Sequence, residues 1–352
     1  MQQRKGNRFL RYDGRTAARR TVGHGAWIAE AVGEARTLPD LDLARRLVVT
    51  YVVVAYRSGR DLAACLDAIE TDRPAGAQLV VVDNASPDDS ADIARTHPSR
   101  PRLIESPSNL GFGGACNLAI EASDGDLLFF VNPDARLAPG TTAGLVEAIQ
   151  ADSSVAAAGP RIVDSAASLH AASAGHEPSI RTLLGHFLLL ARIPLIGRSF
   201  PPFQLPQGSR AQAVDWVGGA ALMVRRDAFL GVGGFDPAMF LYMEDVDLCR
   251  RLREQGWRIA YAPAVVVTHD LGGSQGSEQA ERWIQAFHAY LRRRQGGRRA
   301  RIGMATTAIG LAARALLSAR VPSKRRRMAR AARAAIRLAL SGDRAAPALS
   351  EA

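Results

Sequence analysis

Only three cysteines occur in 352 residues, at Cys65, Cys116 and Cys249, and none sits in a CxxC or Cys/His spacing. Each falls within an apolar or helical pattern. This excludes a disulfide framework or a cysteine zinc site and predicts buried, reduced thiols. No uninterrupted apolar run reaches about 20 residues, so an obligate membrane span is not expected. The N-terminus is basic but lacks the apolar segment of a secretory signal. Acidic residues are missing from Arg292 to Arg337, a stretch with fifteen Arg or Lys. That stretch also has no aromatic side chain to stack on bases, which argues against nucleic acid as its partner.

The formal net charge of +11 therefore belongs to one end of the chain. Residues 1–291 carry 29 basic and 32 acidic side chains and sum to −3. Beyond Pro322, with Ser323 as a helix cap, Arg326, Arg330, Arg333 and Arg337 share one helical face. Met328, Ala332, Ala335 and Ala339 lie roughly opposite. A basic amphipathic helix suits anionic lipid headgroups. Three parts are expected: an Arg- and Gly-rich arm over 1–45, with a short helix around Trp27–Ala35, a folded body over 46–291, and a basic helical extension over 292–352.

Within the body, LVVTYVVVAY from Leu47 is a continuous β-branched run, as expected of a strand buried on both faces. Ser58 can cap a helix in which Leu62, Cys65, Leu66 and Ile69 follow helical spacing. Then come the strand QLVVVDN, a helix near Pro87–Thr96, a short strand at Arg102–Glu105, a helix opening at GFGGACN, and the strand DLLFFVNPD. Strands alternating with helices predict a mostly parallel α/β sheet flanked by helices. Ligands then collect at the carboxyl ends of the strands, where Asp83, Asn84, Asn132 and Asp134 fall. The apolar segment Ile180–Ile196, interrupted by Pro194, reads as a core helix, with a lid or lipid-facing helix as the alternative.

The densest chemistry lies in MEDVDLCRRLREQGW. Glu244, Asp245 and Asp247 open a predicted helix there, and His269 ends a predicted strand soon after. Carboxylates with a strand-end histidine suit deprotonation of a hydroxyl beside a metal-bound phosphate.

Four blocks in order, VVVAYRS, VVDNASPDDS, NLGFGGACN…LFFVNPD and VGGAALMVRRDAF…GGFDPAMFLYMEDVDLCRRL…H, resemble family 2 inverting glycosyltransferases of the GT-A fold. NPD and EDVDL look most like the rhamnosyltransferase-like branch that builds bacterial cell-envelope glycans. The resemblance spans roughly residues 47–275. It implies that Ala55, Tyr56, Asp83 and Asn84 hold the base and ribose of a nucleotide-sugar donor, helped by Asn109, Gly111, Gly113 and Asn132. Arg57 departs from the family, which has Asn after the tyrosine. Asp134 and His269 are the implied ligands of Mg²⁺ or Mn²⁺. Asp245 is the implied base, and Glu244 an orienter of the acceptor. Asp247 is read as a helix cap or an arginine partner, and Trp216 and Gly219 as acceptor contacts. The activity implied is sugar transfer, with L-rhamnose from dTDP-L-rhamnose expected and UDP-galactofuranose or GDP-mannose as alternatives. The acceptor would be a polyprenyl-diphosphate-linked glycan, handled at the cytoplasmic face of the plasma membrane. A non-catalytic binding protein of the same fold is the rival from another class.

Overall fold

The first apolar run forms β1 (Val49–Ala55), which is buried at every position. It has no free edge, because β2 (Gln78–Asp83) and β4 (Leu127–Val131) pair with it in parallel on either side, and helices cover both its faces. The computed structural model describes residues 47–164, 173–206, 209–269, 276–318 and 322–341. The predicted arm, its Trp27–Ala35 helix and the Ser323 side chain lie outside the described residues.

The sheet continues from β2 to β3 (Arg102–Glu105). From β4 it continues to β10 (Ala221–Arg225), β6 (Val155–Val163), β11 (Arg258–His269) and β5 (Ala135–Leu137), and β8 (Gln212–Val214) also pairs with β11. Six of the nine strands run the same way; β5, β8 and β10 oppose them. A small second sheet pairs β7 (Ala174–Gly175) with β9 (Trp216–Val217).

Alternate residues of the buried strands feed two cores. Val52, Val54, Leu128 and Phe130 face one side; Tyr51, Val53, Leu127 and Phe129 face the other. Burying each such side chain contributes about 1.5–3 kcal/mol. The second face is covered by α1 (Leu62–Asp72) and α4 (Thr141–Gln150), through Leu62, Cys65, Leu66, Ile69, Leu145 and Ile149. The first is covered by α3 (Gly111–Glu121), α6 (Arg226–Gly231), α7 (Glu244–Glu254) and α8 (Gly276–Gln295). Phe130 meets Phe229 and Phe235 at 5.4 and 5.0 Å between ring centres.

Local expectations needed adjustment. Ser58 starts α1 with its carbonyl, which accepts from Asp61 and Leu62 N–H, while its hydroxyl turns to Tyr56. The helix expected from Pro87 begins instead at α2 (Ser90–Thr96), where Asp88 accepts from the Ser90 N–H. The segment read as one core helix is α-helical only over α5 (Ile180–Phe187), with a short 3-10 turn at Leu190–Arg192. Beyond it Leu188, Leu189, Ile193, Leu195 and Ile196 are exposed, Leu195 to 95%.

The 291/292 division falls inside α8. Two further helices, α9 (Gly297–Leu317) and α10 (Pro322–Leu340), pack back on the body. Met304, Ala331, Ala334 and Ala335 join the core that holds Leu183, Trp216 and Phe287. On α10, Arg330 and Arg337 pair with Glu281 of α8. Among the described residues α9 alone has the length and apolarity of a membrane-crossing helix, and 44% of that stretch is buried inside the fold.

Candidate active site

Asp134 follows β4, and the chain reverses at once into β5, which pairs antiparallel with the end of β11. That pairing sets Ala135 opposite His269, so residues 135 positions apart in sequence become neighbours. The result is a His269 Nε2 to Asp134 Oδ1 distance of 3.0 Å, with the Asn132 amide 3.3 Å from the same nitrogen. Two adjacent ligands at about 2.1 Å from an octahedral ion lie about 3 Å apart. The Asp134–His269 pair therefore fits the edge of such a coordination shell. Among the described residues no third His, Cys, Asp or Glu joins them. Further ligands would come from donor phosphates and water, as is usual for Mg²⁺ beside a nucleotide.

The NPD turn is tied to its neighbours by hydrogen bonds. The Asn132 carbonyl accepts from the Ala135 N–H and the Cys65 thiol, and the Asn132 N–H donates to the Ala220 carbonyl. One residue earlier, the Gly219 N–H donates to Asp245 Oδ2 at 2.8 Å. The turn Gly218–Ala220 thus ties the metal motif to the candidate base through its backbone. Of the predicted acceptor contacts, Gly219 meets Asp245. Trp216 requires correction. It is only 3% exposed, stacks on Phe203 at 5.2 Å, and spends its indole N–H on the His176 carbonyl. A sugar has no open indole face to meet there.

Glu244 and Asp245 begin α7 after two residues, Tyr242 and Met243, held at φ of 69° and 72°. That left-handed stretch turns the chain so that both carboxylates enter the protein. Burial raises both acids above their ordinary pKa, and the Asp245 charge raises Glu244 further. Their environments differ. Asp245 accepts two backbone N–H groups, from Gly219 and Val246. Glu244 Oε2 is buried without a hydrogen-bond partner. Asp245 is thus the better anion, and Glu244 the better holder of a proton. Asp247 is fully buried and pairs with Arg251 at 2.7 Å and with Arg294 of α8, the arginine role expected of it.

Of the residues expected to hold the nucleotide, Asp83 ends β2 level with Ala55 of β1. Its Oδ2 accepts from the Ser86 N–H, while Oδ1 is buried and unpartnered. Burial, with Glu105 and Asp88 nearby, raises its pKa. A buried acceptor without a donor is costly unless a ligand supplies one. Tyr56 is exposed at the rim with the Arg57 guanidinium 5.5 Å from its ring centre. Arg57 thus covers this aromatic face where the family has Asn.

The remaining predicted donor contacts serve one another. Ala55 is fully buried and its carbonyl accepts from Asn84 N–H. The Asn84 side chain bonds Asn109, the Gly111 carbonyl and Leu110 N–H. Gly111 has φ +72°, and a Cβ there would lie 2.2 Å from the Phe240 carbonyl oxygen. At Gly113 a Cβ would meet Phe235 at 2.8 Å. These glycines admit the loop that leads to Glu244, and the Phe112 N–H bonds the Phe240 carbonyl. The Gly-rich turn thus joins the end of β2 to the loop that precedes α7.

Sequence reasoning missed Tyr242. Its phenol bonds Gln279, and both Glu244 and Asp134 act on it electrostatically, raising its pKa after burial. Its place directly before MED was the available signal. The cysteines are inert, with burial pushing the Cys65 and Cys249 thiols up to about 12.

Comparison with known proteins bears on the family and the fold. The family model for Glycosyl transferase family 2 matches residues 50–230. The N-acetylglucosaminyl-diphospho-decaprenol L-rhamnosyltransferase of Mycobacterium tuberculosis is 33% identical over 259 residues, covering 68% of this chain and 81% of that protein. Rhamnosyltransferase WbbL of Escherichia coli K12 is 28% identical over 197 residues, 53% of this chain and 71% of that protein. Mannosyltransferase PcManGT from Pyrobaculum calidifontis, solved with GDP-Man and Mn²⁺, shares the fold at a TM-score of 0.53 and 19% identity, covering 84% of this chain and 88% of that chain. With its family segment, its fold and its strand-end carboxylates all in agreement, the chain belongs to glycosyl transferase family 2.

Proposed function

We propose that the protein is an inverting glycosyltransferase that moves L-rhamnose from dTDP-L-rhamnose to a polyprenyl-diphosphate-linked glycan. The carrying observation is the Gly218–Ala220 turn, which holds Asp245 on one side and Asn132 on the other. A base and a diphosphate site locked to one turn suit in-line displacement, because attack and departure must occur on opposite sides of one carbon. The choice of rhamnose and of a lipid-linked acceptor rests on the activity of the 33% identical Mycobacterium tuberculosis relative.

In this reading Asp83 accepts an N–H of the base at its unpartnered oxygen, and Tyr56 borders the same pocket. Asp134 and His269, with Asn132 beside them, would hold Mg²⁺ or Mn²⁺, whose charge would offset that of the diphosphate when bound. Asp245 takes the acceptor hydroxyl proton as that oxygen bonds to the anomeric carbon and the carbon–phosphate oxygen bond breaks. Its backbone hydrogen bonds leave each carboxylate oxygen a further lone pair for this proton. Glu244, neutral, donates to the acceptor and orients it. Transfer occurs at the cytoplasmic face of the membrane, the basic C-terminal region favouring an anionic surface.

The test is a donor screen with purified protein, a synthetic polyprenyl-diphosphate sugar and Mg²⁺ or Mn²⁺. The expected result is acceptor-dependent release of dTDP from dTDP-rhamnose. Release from UDP-galactofuranose or GDP-mannose instead would discard rhamnose. Nucleotide binding without turnover on any donor would overturn the enzymatic reading.

A further inference from the structure

Exposed apolar side chains are concentrated on two segments whose helices touch. Small residues on α9 let α5 approach: a Cβ at Gly310 would lie 2.6 Å from Phe187 Cβ, and one at Gly303 3.0 Å from a Leu183 methyl. Arg314 of α9 then donates to the His186 carbonyl at 2.7 Å and covers the Phe187 ring at 5.3 Å. Directly beyond Phe187 comes the turn carrying Leu189, Ile193 and the 95% exposed Leu195. On α9 itself Ile302, Ile309 and Leu316 are 50, 60 and 75% exposed and spaced seven residues apart, which sets them along one helical face. Opposite them Met304, Thr307 and Ala308 are buried.

We infer that this joint surface, the 188–196 turn beside the outer face of α9, docks on a bilayer rich in anionic phospholipid. Charge decides the occupant. Neither residues 178–214 nor residues 292–337 contain a single Asp or Glu. Arg192, Arg198 and Arg301 are exposed around the apolar stripe. Among the described residues neither Arg192 nor Arg314 has a carboxylate partner. A second copy of this surface would bring arginine against arginine, whereas an anionic headgroup layer supplies the missing charge above an apolar interior. The inner face of α9 is committed to the protein, so the helix lies along the membrane and does not cross it. The surface differs from the arginine face of α10, where Arg330 and Arg337 are already paired with Glu281. The inference rests on the lipid-linked acceptor reading, since such an acceptor must be met at a membrane.

The test is sedimentation of the full-length protein with phosphatidylcholine vesicles, with and without phosphatidylglycerol. Wild type should pellet with the anionic vesicles and be released by salt. Leu195→Asp combined with Leu316→Asp should lower that partitioning by at least about tenfold. Arg326→Gln with Arg327→Gln on α10 should lower it less. Transfer to a short, water-soluble acceptor should be unchanged in the Asp variant, so loss of docking and loss of the enzymatic reading are distinguishable. Unaltered sedimentation of the Asp variant overturns the proposal. So does light scattering in which that variant turns a dimer into a monomer, because the occupant would then be a second copy.

Discussion

Replacing Glu244 with Gln should stabilise the protein in a pH-dependent way. Glu244 is 7% exposed, its Oε2 has no partner, and the Asp245 carboxylate is adjacent in the chain. Burial and that neighbouring charge hold its pKa above the ordinary value of 4.5. An acid that keeps its proton in the folded state but loses it on unfolding makes stability fall as pH rises. The loss begins near pH 4.5, where an unfolded-chain glutamate ionises, and ends at the raised folded value. If the proton is held to pH 7, about 2.5 pH units at about 1.4 kcal/mol each give a ceiling of about 3.5 kcal/mol. Glutamine copies the neutral form and cannot ionise in either state. The Glu244→Gln protein should therefore match wild type near pH 4.5 and exceed it progressively up to pH 7, by as much as about 6 °C in Tm.

Scanning calorimetry between pH 4.5 and 8 reads this directly. A pH-independent offset would show that the substitution acts through packing alone. A wild type more stable than the variant at pH 8 would refute the reasoning, because Glu244 would then be an anion with a partner. The same pair of carboxylates separates in kinetics. Glu244→Gln should keep kcat/KM near neutral pH within several-fold, having preserved a hydrogen-bond donor. Asp245→Asn should lose about 10²- to 10⁴-fold, the usual worth of a general base.

Removing Asp134 or His269 should weaken Mn²⁺ binding in the presence of dTDP by more than the about 10- to 100-fold typical of an outer-shell support, measured by electron paramagnetic resonance. Unchanged Mn²⁺ affinity would put the metal elsewhere. Gly111→Ala should cost more than about 1–2 kcal/mol in urea unfolding, since it combines left-handed backbone with a clash against the Phe240 carbonyl. Trp216→Ala should cost about 3–5 kcal/mol as a core truncation. Trp216→Phe should leave the acceptor KM unmoved, and a raised KM there would restore the sugar-stacking role.

The strands were legible because burial on both faces leaves a sign in composition. LVVTYVVVAY and DLLFFV admit few other structures, and the carboxylates at their ends fell where a doubly covered sheet must put them. Partnerships among polar groups left no such sign. Arg294 belongs by sequence to a carboxylate-free run, yet it crosses 47 positions to the buried Asp247. Helical spacing shows which arginines share a face of α10 but not that Glu281 waits opposite two of them. The exposure of Leu195 was hidden because an apolar residue reads alike whether it fills a core or faces outward. The site itself divides along the same line. Asp134, His269 and Asp245 could be named from residue type and position, whereas the join between them is made by the Gly219 N–H and the Ala220 carbonyl. Those are groups that nearly every residue possesses, so no side-chain pattern could announce them.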